Sequence, residues 1–154
     1  MMWTKFRRGF RQVGLDEQSA FMTFNLAPLC VRRGVAILGV IHTAALLDGP
    51  PSLWKFFRRD FGATRRVGRL PVRHSVQLIE WPPGRDLDVM RRSALGMIRV
   101  YNLLPEEAVA KCDLKSFQRT LTQLVRDRVV AGDTRWKELL SCRHRLLQHH
   151  PLVR

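Results

Sequence analysis

The chain has 154 residues, 45% of them hydrophobic, and its 27 Lys and Arg against 13 Asp and Glu give a net charge of +14. That length and apolar share support one packed domain and exclude global disorder. The charge predicts attraction to polyanions, of which nucleic acid is the commonest.

Arginine supplies 22 of the cations and lysine five. The guanidinium fork matches phosphate and stacks on bases, which suits nucleic acid. A codon usage biased toward arginine would give the same excess, so composition leaves both readings open. Cys30, Cys112 and Cys142 are odd in number and form no CxxC pair. They argue against a disulfide framework and for a reducing compartment, cytoplasmic or nuclear.

The N-terminus, "MMWTKFRRGFRQVG", has no acid before Asp16. Residues 1–13 read as a basic extension, with a mitochondrial presequence as the alternative. A helix is expected from Gly14 to Phe24, with acids in its first turn. Pro28 ends it by disfavouring helix at Ala27. "CVRRGVAILGVIHTAALLDG" reads as the main helix. Val31, Val35, Leu38, Ile41 and Ala45 fall on one face of it, and Ile37, Val40, Ala44 and Leu47 widen that face. At about 20 residues needed to cross a bilayer, the run from Val35 to Leu47 is too short, and no membrane is expected as a partner. Arg32 and Arg33 sit at the end of this helix that the dipole makes unfavourable for cations, which points to an acidic partner or a phosphate. Gly49 and the Pro50-Pro51 pair stop the helix. Ser52 is placed to cap a third one, "LWKFFRRDF".

Gly62 to Arg73 reads as a basic loop. "HSVQLIEW" has a strand pattern, "PPGRD" a turn pattern, and "LDVMRR" a possible return, so a short, irregular β-hairpin is expected over about residues 74–91. Ser93 caps a helix ending near Leu103. Pro105, Glu106 and Glu107 open a further turn. Asp113 caps a last long helix on which Leu114, Phe117, Leu121 and Leu124 recur at intervals of three and four, and which Gly132 stops. "TRWKELLS" is a final short helix. The fold expected is mainly α: a single helical domain over 14–141 with the hairpin in its middle, followed by a disordered basic, His-rich tail over 142–154.

Reactive centres are not apparent. Cys142, His144, His149 and His150 lack the paired spacing of a zinc site, so no metal or other cofactor is expected. There is no GxSxG elbow, no GxxxxGK[ST] loop and no YxDD, and Asp86 and Asp88 are explained by salt bridges with Arg85 or Arg91. His42 lies in the most apolar helix and reads as a satisfied core histidine. What remains is a series of arginine pairs, with Arg32, Arg33, Arg58, Arg59, Arg65, Arg66, Arg91 and Arg92 as candidate nucleic-acid contacts. Several pairs on one face would bind phosphate without sequence preference and with strong salt dependence.

Three blocks in order carry a resemblance. "FNLAPLCVRRGVAILGVIH" with "GPPSLWKFF", then "RRSALGMIRVYNLLPEEAV", then "SFQRTLTQLVRD" with "WKELLS" resemble the region after the reverse-transcriptase domain of non-LTR (LINE-type) retrotransposon polyproteins. The chain departs from that pattern at Gly34, where an Asp is usual, and at Ala94 and Leu95, where an aromatic is common. The resemblance implies a non-catalytic piece. The polymerase and endonuclease of such a polyprotein lie upstream, and this region would help hold template RNA or target DNA beside the polymerase domain. It also implies structural roles for Leu26, Pro28, Tyr101, Leu103, Leu104, Pro105, Phe117 and Trp136. On that reading Leu104 and Phe117 each contribute about 1.5–3 kcal/mol by burial, and the Tyr101 hydroxyl needs a hydrogen-bond partner. An independent basic nucleic-acid-binding module, such as an organellar one, is the alternative.

Overall fold

The computed structural model describes residues 14–46, 48–61, 73–80, 93–142 and 147–153. Six α-helices occur among them: α1 (Glu17–Phe24), α2 (Leu29–Ala45), α3 (Pro51–Trp54), α4 (Met97–Tyr101), α5 (Glu106–Val109) and α6 (Leu114–Val130). Three 3-10 turns follow, at Trp136–Glu138, Leu147–His149 and Pro151–Val153. The chain is mainly helical.

Side-chain caps set two of the helix starts. Asp16 accepts from the Ser19 amide at 2.7 Å and Asp113 from the Ser116 amide at 2.8 Å, each satisfying a donor the helix cannot. These bonds hold both carboxyls below the usual aspartate range. Helix α1 ends on Asn25, which adopts the left-handed conformation at φ 56° and lets the Leu26 amide return to the Ala20 carbonyl at 3.2 Å. The reversal leaves Leu26 46% exposed and buries Ala27 and Pro28, so the apolar contribution of "LAPL" comes from its middle. Gly132, at φ 75°, takes the same role after α6.

Helix α2 is the central element, packed against α6, α4 and the turn at Trp136. Two glycines bring it close. A Cβ at Gly34 would lie 2.8 Å from both Cβ and the carbonyl oxygen of Leu140, and one at Gly39 would lie 2.8 Å from Gln118 Nε2 and 3.0 Å from Leu114 Cδ1. The core runs on through Phe21, Leu38, Ile41, Ile98, Tyr101, Leu104, Phe117, Leu121, Val125 and Leu139. No single helix among the described residues is long and apolar enough to cross a membrane; α1 and α2 reach that length only together, bent by 54°.

One expectation is not confirmed and another needs correction. The hairpin is not confirmed. Among the described residues there is no strand, only an isolated antiparallel bridge between Arg59 and Leu78. The Asp60 amide donates to the Gln77 carbonyl at 2.8 Å and the Ile79 amide to the Arg58 carbonyl at 2.9 Å. Residues 58–60 are thereby drawn out of the helix expected for "LWKFFRRDF", which stops at Trp54. The return half of the hairpin, 81–91, lies outside the described residues, as do 1–13. The disordered tail is corrected over its described residues. Its residues 147–153 form two 3-10 turns, and Pro151 and Leu152 are buried. His150, 1% exposed, donates from Nε2 to the Ser141 carbonyl at 3.0 Å, while its Nδ1 accepts from the Leu152 amide at 3.2 Å. Arg128 closes the same turn by donating to the Pro151 carbonyl at 3.1 Å.

Candidate nucleic-acid interface

The stretch "YNLLPEE" ties the molecule together from within. Tyr101 is fully buried, and its hydroxyl donates to Nδ1 of His42 at 2.9 Å. His42 Nε2 donates to the Lys111 carbonyl at 2.7 Å, and the ring stacks on Phe117 with centroids 4.0 Å apart and 6° between planes. Both ring nitrogens of the neutral imidazole are thus occupied. His74 donates from Nε2 to the Tyr101 carbonyl at 2.9 Å. The Asn102 side chain takes the place of a neighbouring strand: its Oδ1 accepts from the Leu78 amide and its Nδ2 donates to the Leu78 carbonyl, both at 2.9 Å. The Glu106 carboxylate accepts from the amide and hydroxyl of Ser75 at 2.8 and 2.9 Å.

Burial holds both His42 and His74 below the usual histidine range, and the carbonyls of Lys111 and Tyr101 oppose that shift. Burial also pushes the Tyr101 phenol well above its ordinary value. His42, His74 and Tyr101 are all buried in the core. Leu103, Leu104, Phe117 and Trp136 are buried as well, and Pro105 is the N-cap of α5. Tyr101, Leu103 and Leu104 of this stretch thus serve packing, while Glu106 and Glu107 are exposed.

The arginine pairs do not form one patch among the described residues. Arg32 and Arg33 are exposed in the first turn of α2, which holds no acidic residue. Arg59 reaches the opposite end of α2, where its Nε donates to the Ala45 carbonyl at 3.1 Å. From Arg33 to Ala45 the helix rises about 18 Å, so the two pairs sit at opposite ends of it. Arg58 is exposed. Arg65, Arg66, Arg91 and Arg92 lie outside the described residues.

A different basic surface comes together on α6. A groove of about 600 Å³ is lined by Lys115, Gln118, Arg119, Thr122, Gln123 and Arg126 of α6, by Val35 of α2, and by Asn25 between α1 and α2. Its lining holds three cations, amides and a hydroxyl, and no carboxylate. At 3.6 residues per turn, Lys115, Arg119 and Arg126 fall within about 40° of one line along the helix. Arg126 is fixed: it donates to Asn25 Oδ1 at 3.1 Å and to the Phe21 carbonyl at 3.5 Å, with its guanidinium 5.5 Å from the centroid of the Phe21 ring. Phe21 in turn stacks on Trp136, with centroids 5.6 Å apart. Arg32 stands one helical turn from Val35, so the exposed start of α2 adjoins the groove. Reading arginine pairs in the sequence missed this surface, because its cations are single and spaced by four and seven. That spacing was the available signal.

Among the described residues no three His, Cys, Asp or Glu side chains are grouped as metal ligands, and no disulfide joins the cysteines. Compared with known proteins, the chain matches no family model, no curated protein and no solved structure.

Proposed function

We propose that the chain is a non-catalytic, helical nucleic-acid-binding piece of a LINE-type reverse-transcriptase polyprotein, from the region after the polymerase domain. In that setting it holds template RNA or target DNA through phosphate, and the polymerase domain upstream is its other partner. The observation that carries the binding is the carboxylate-free basic groove on α6 in a chain of net charge +14. The three ordered sequence blocks support the origin. So does the way their residues share one core, with Tyr101, Leu104, Phe117 and Trp136 all buried.

Salt titration tests the binding. Affinity of the full chain for RNA or duplex DNA should fall linearly on a log–log plot against salt, with a slope of about 0.7 to 0.9 per neutralised phosphate. Charge reversal of Arg32 and Arg33 should lower that slope by about one for each phosphate they neutralise. A flat response would remove the phosphate reading. The origin is tested separately: DNA upstream of the Met1 codon should encode a YxDD-containing domain, in frame or past a nearby frameshift.

A further inference from the structure

We infer that the α6 groove takes single-stranded nucleic acid, with phosphates along Lys115, Arg119 and Arg126 and a base stacked on Phe24. The inference rests on the proposed function and says which surface and which form of nucleic acid.

Two independent observations meet at one end of the groove. The first is electrostatic. Lys115, Arg119 and Arg126 lie on one line of α6, and no acidic side chain joins them in the lining. Lys115 and Arg119 are exposed, so a phosphate reaches them with little loss of their solvation. Of the neutral lining groups, Asn25 is held by Arg126, Gln123 donates to Asp127 Oδ1 at 2.8 Å and Thr122 to the Gln118 carbonyl at 2.9 Å, so the phosphate contacts fall to the cations.

The second is an apolar surface where the first would not predict one. Phe24 is 56% exposed, Leu26 46% and Leu29 50%, all within six residues of the turn that carries Asn25 into the groove. Phe24 follows Phe21 by three positions on α1, so the two side chains are neighbours on one helix face. Phe21 is the ring beneath Arg126. Phe24 also directly precedes Asn25, the lining residue that accepts from Arg126, so an exposed aromatic residue adjoins that wall of the groove in the chain. A duplex keeps its bases stacked on one another and presents only its backbone to such a ridge. A single strand can set its backbone on the cations and turn a base onto the ring, which is how sequence-tolerant single-strand sites are built. The exposed ring is thus the reason to prefer a single strand over a duplex.

The test uses fluorescence anisotropy of the full chain with labelled oligo(dT), oligo(U) and a mixed-sequence duplex, over a range of salt. The two single strands should bind more tightly than the duplex, and comparing them distinguishes DNA from RNA as the source. Lys115→Ala with Arg119→Ala should lower the single-strand salt slope by about 1.4, two phosphates at about 0.7 each. Phe24→Ala should weaken single-strand binding by about 5- to 150-fold with the salt slope unchanged. All three positions are exposed, and unchanged thermal melting of each variant checks that the fold is intact. Duplex binding as tight as single-strand binding, or a neutral Phe24→Ala, overturns the single-strand assignment. Wild-type binding that the Lys115 and Arg119 variant leaves untouched overturns the groove while the proposed function stands on other arginines. No binding by the wild-type chain overturns both.

Discussion

His42 and His74 show how much of this protein's specificity is spent indoors. Each is neutral in the fold because burial disfavours the charged ring. Protonation would put a second N–H on Nδ1. For His42 that nitrogen faces the Tyr101 hydroxyl, whose own proton would lose its acceptor. For His74 it is buried with no partner, although Glu106 nearby favours the charge. A folded pKa below the ordinary 6.5 means the unfolded chain binds more protons between the two values. Stability should therefore be full above pH 6.5 and fall as pH drops below it. Urea midpoints measured from pH 7.5 down to pH 5 should decline, and His74→Gln should flatten the decline. The lowered carboxyls of Asp16 and Asp113 act at lower pH, below the ordinary aspartate value of 3.8, so this window isolates the histidines. In the sequence, His42 was legible as a core histidine because apolar residues surround it at helical spacing. Its partners were not, since Tyr101 lies 59 residues away and Lys111 lies 69 away. Nothing local encodes such a meeting.

At the scale of elements, periodicity located α2 and α6 well because each buries a stripe on a single long helix. It failed where a segment's partner decides its form. Residues 58–60 have a helical pattern but pair with residues 77–79. Gly34 is a sharper case. By propensity alone, Gly→Ala inside a helix stabilises by about 1 kcal/mol. Here the new methyl group would meet the Leu140 backbone at 2.8 Å, and a backbone oxygen cannot swing aside as a flexible side-chain end does. Gly34→Ala should instead destabilise by about 1–3 kcal/mol, measured by urea unfolding. The resembled pattern has an Asp at this position, and an Asp would meet the same obstacle. The groove on α6 belongs to this scale too. Its cations could be counted from the sequence, but the matching wall from Val35 and Asn25 could not.

For the molecule as a whole, the largest departure from expectation is the chain's last turn. No period marks "LLQHHPLVR", yet Leu152 is 5% exposed in the common core and Val153 packs against it. Specific bonds take the place of amphipathic patterning there: His150 to Ser141, Arg128 to the Pro151 carbonyl, and Arg73 to the Val153 carbonyl at 3.4 Å. Leu152→Ala should cost about 2–5 kcal/mol by denaturant unfolding, as for a core leucine elsewhere. A frayed tail would make the same substitution neutral. The domain is thus closed by both kinds of contact, patterned faces near its middle and singular bonds near its end.

The reach of the imidazole of α2 into two distant parts of the chain has a kinetic meaning. Helical proteins usually form quickly, because their neighbours in space are also neighbours in sequence. Here the bonds of His42 to Tyr101 and to the Lys111 carbonyl close loops of 59 and 69 residues, at an entropic penalty that short turns avoid. Stopped-flow refolding should therefore run slower than is usual for a helical domain, toward the tempo of a mixed α/β fold.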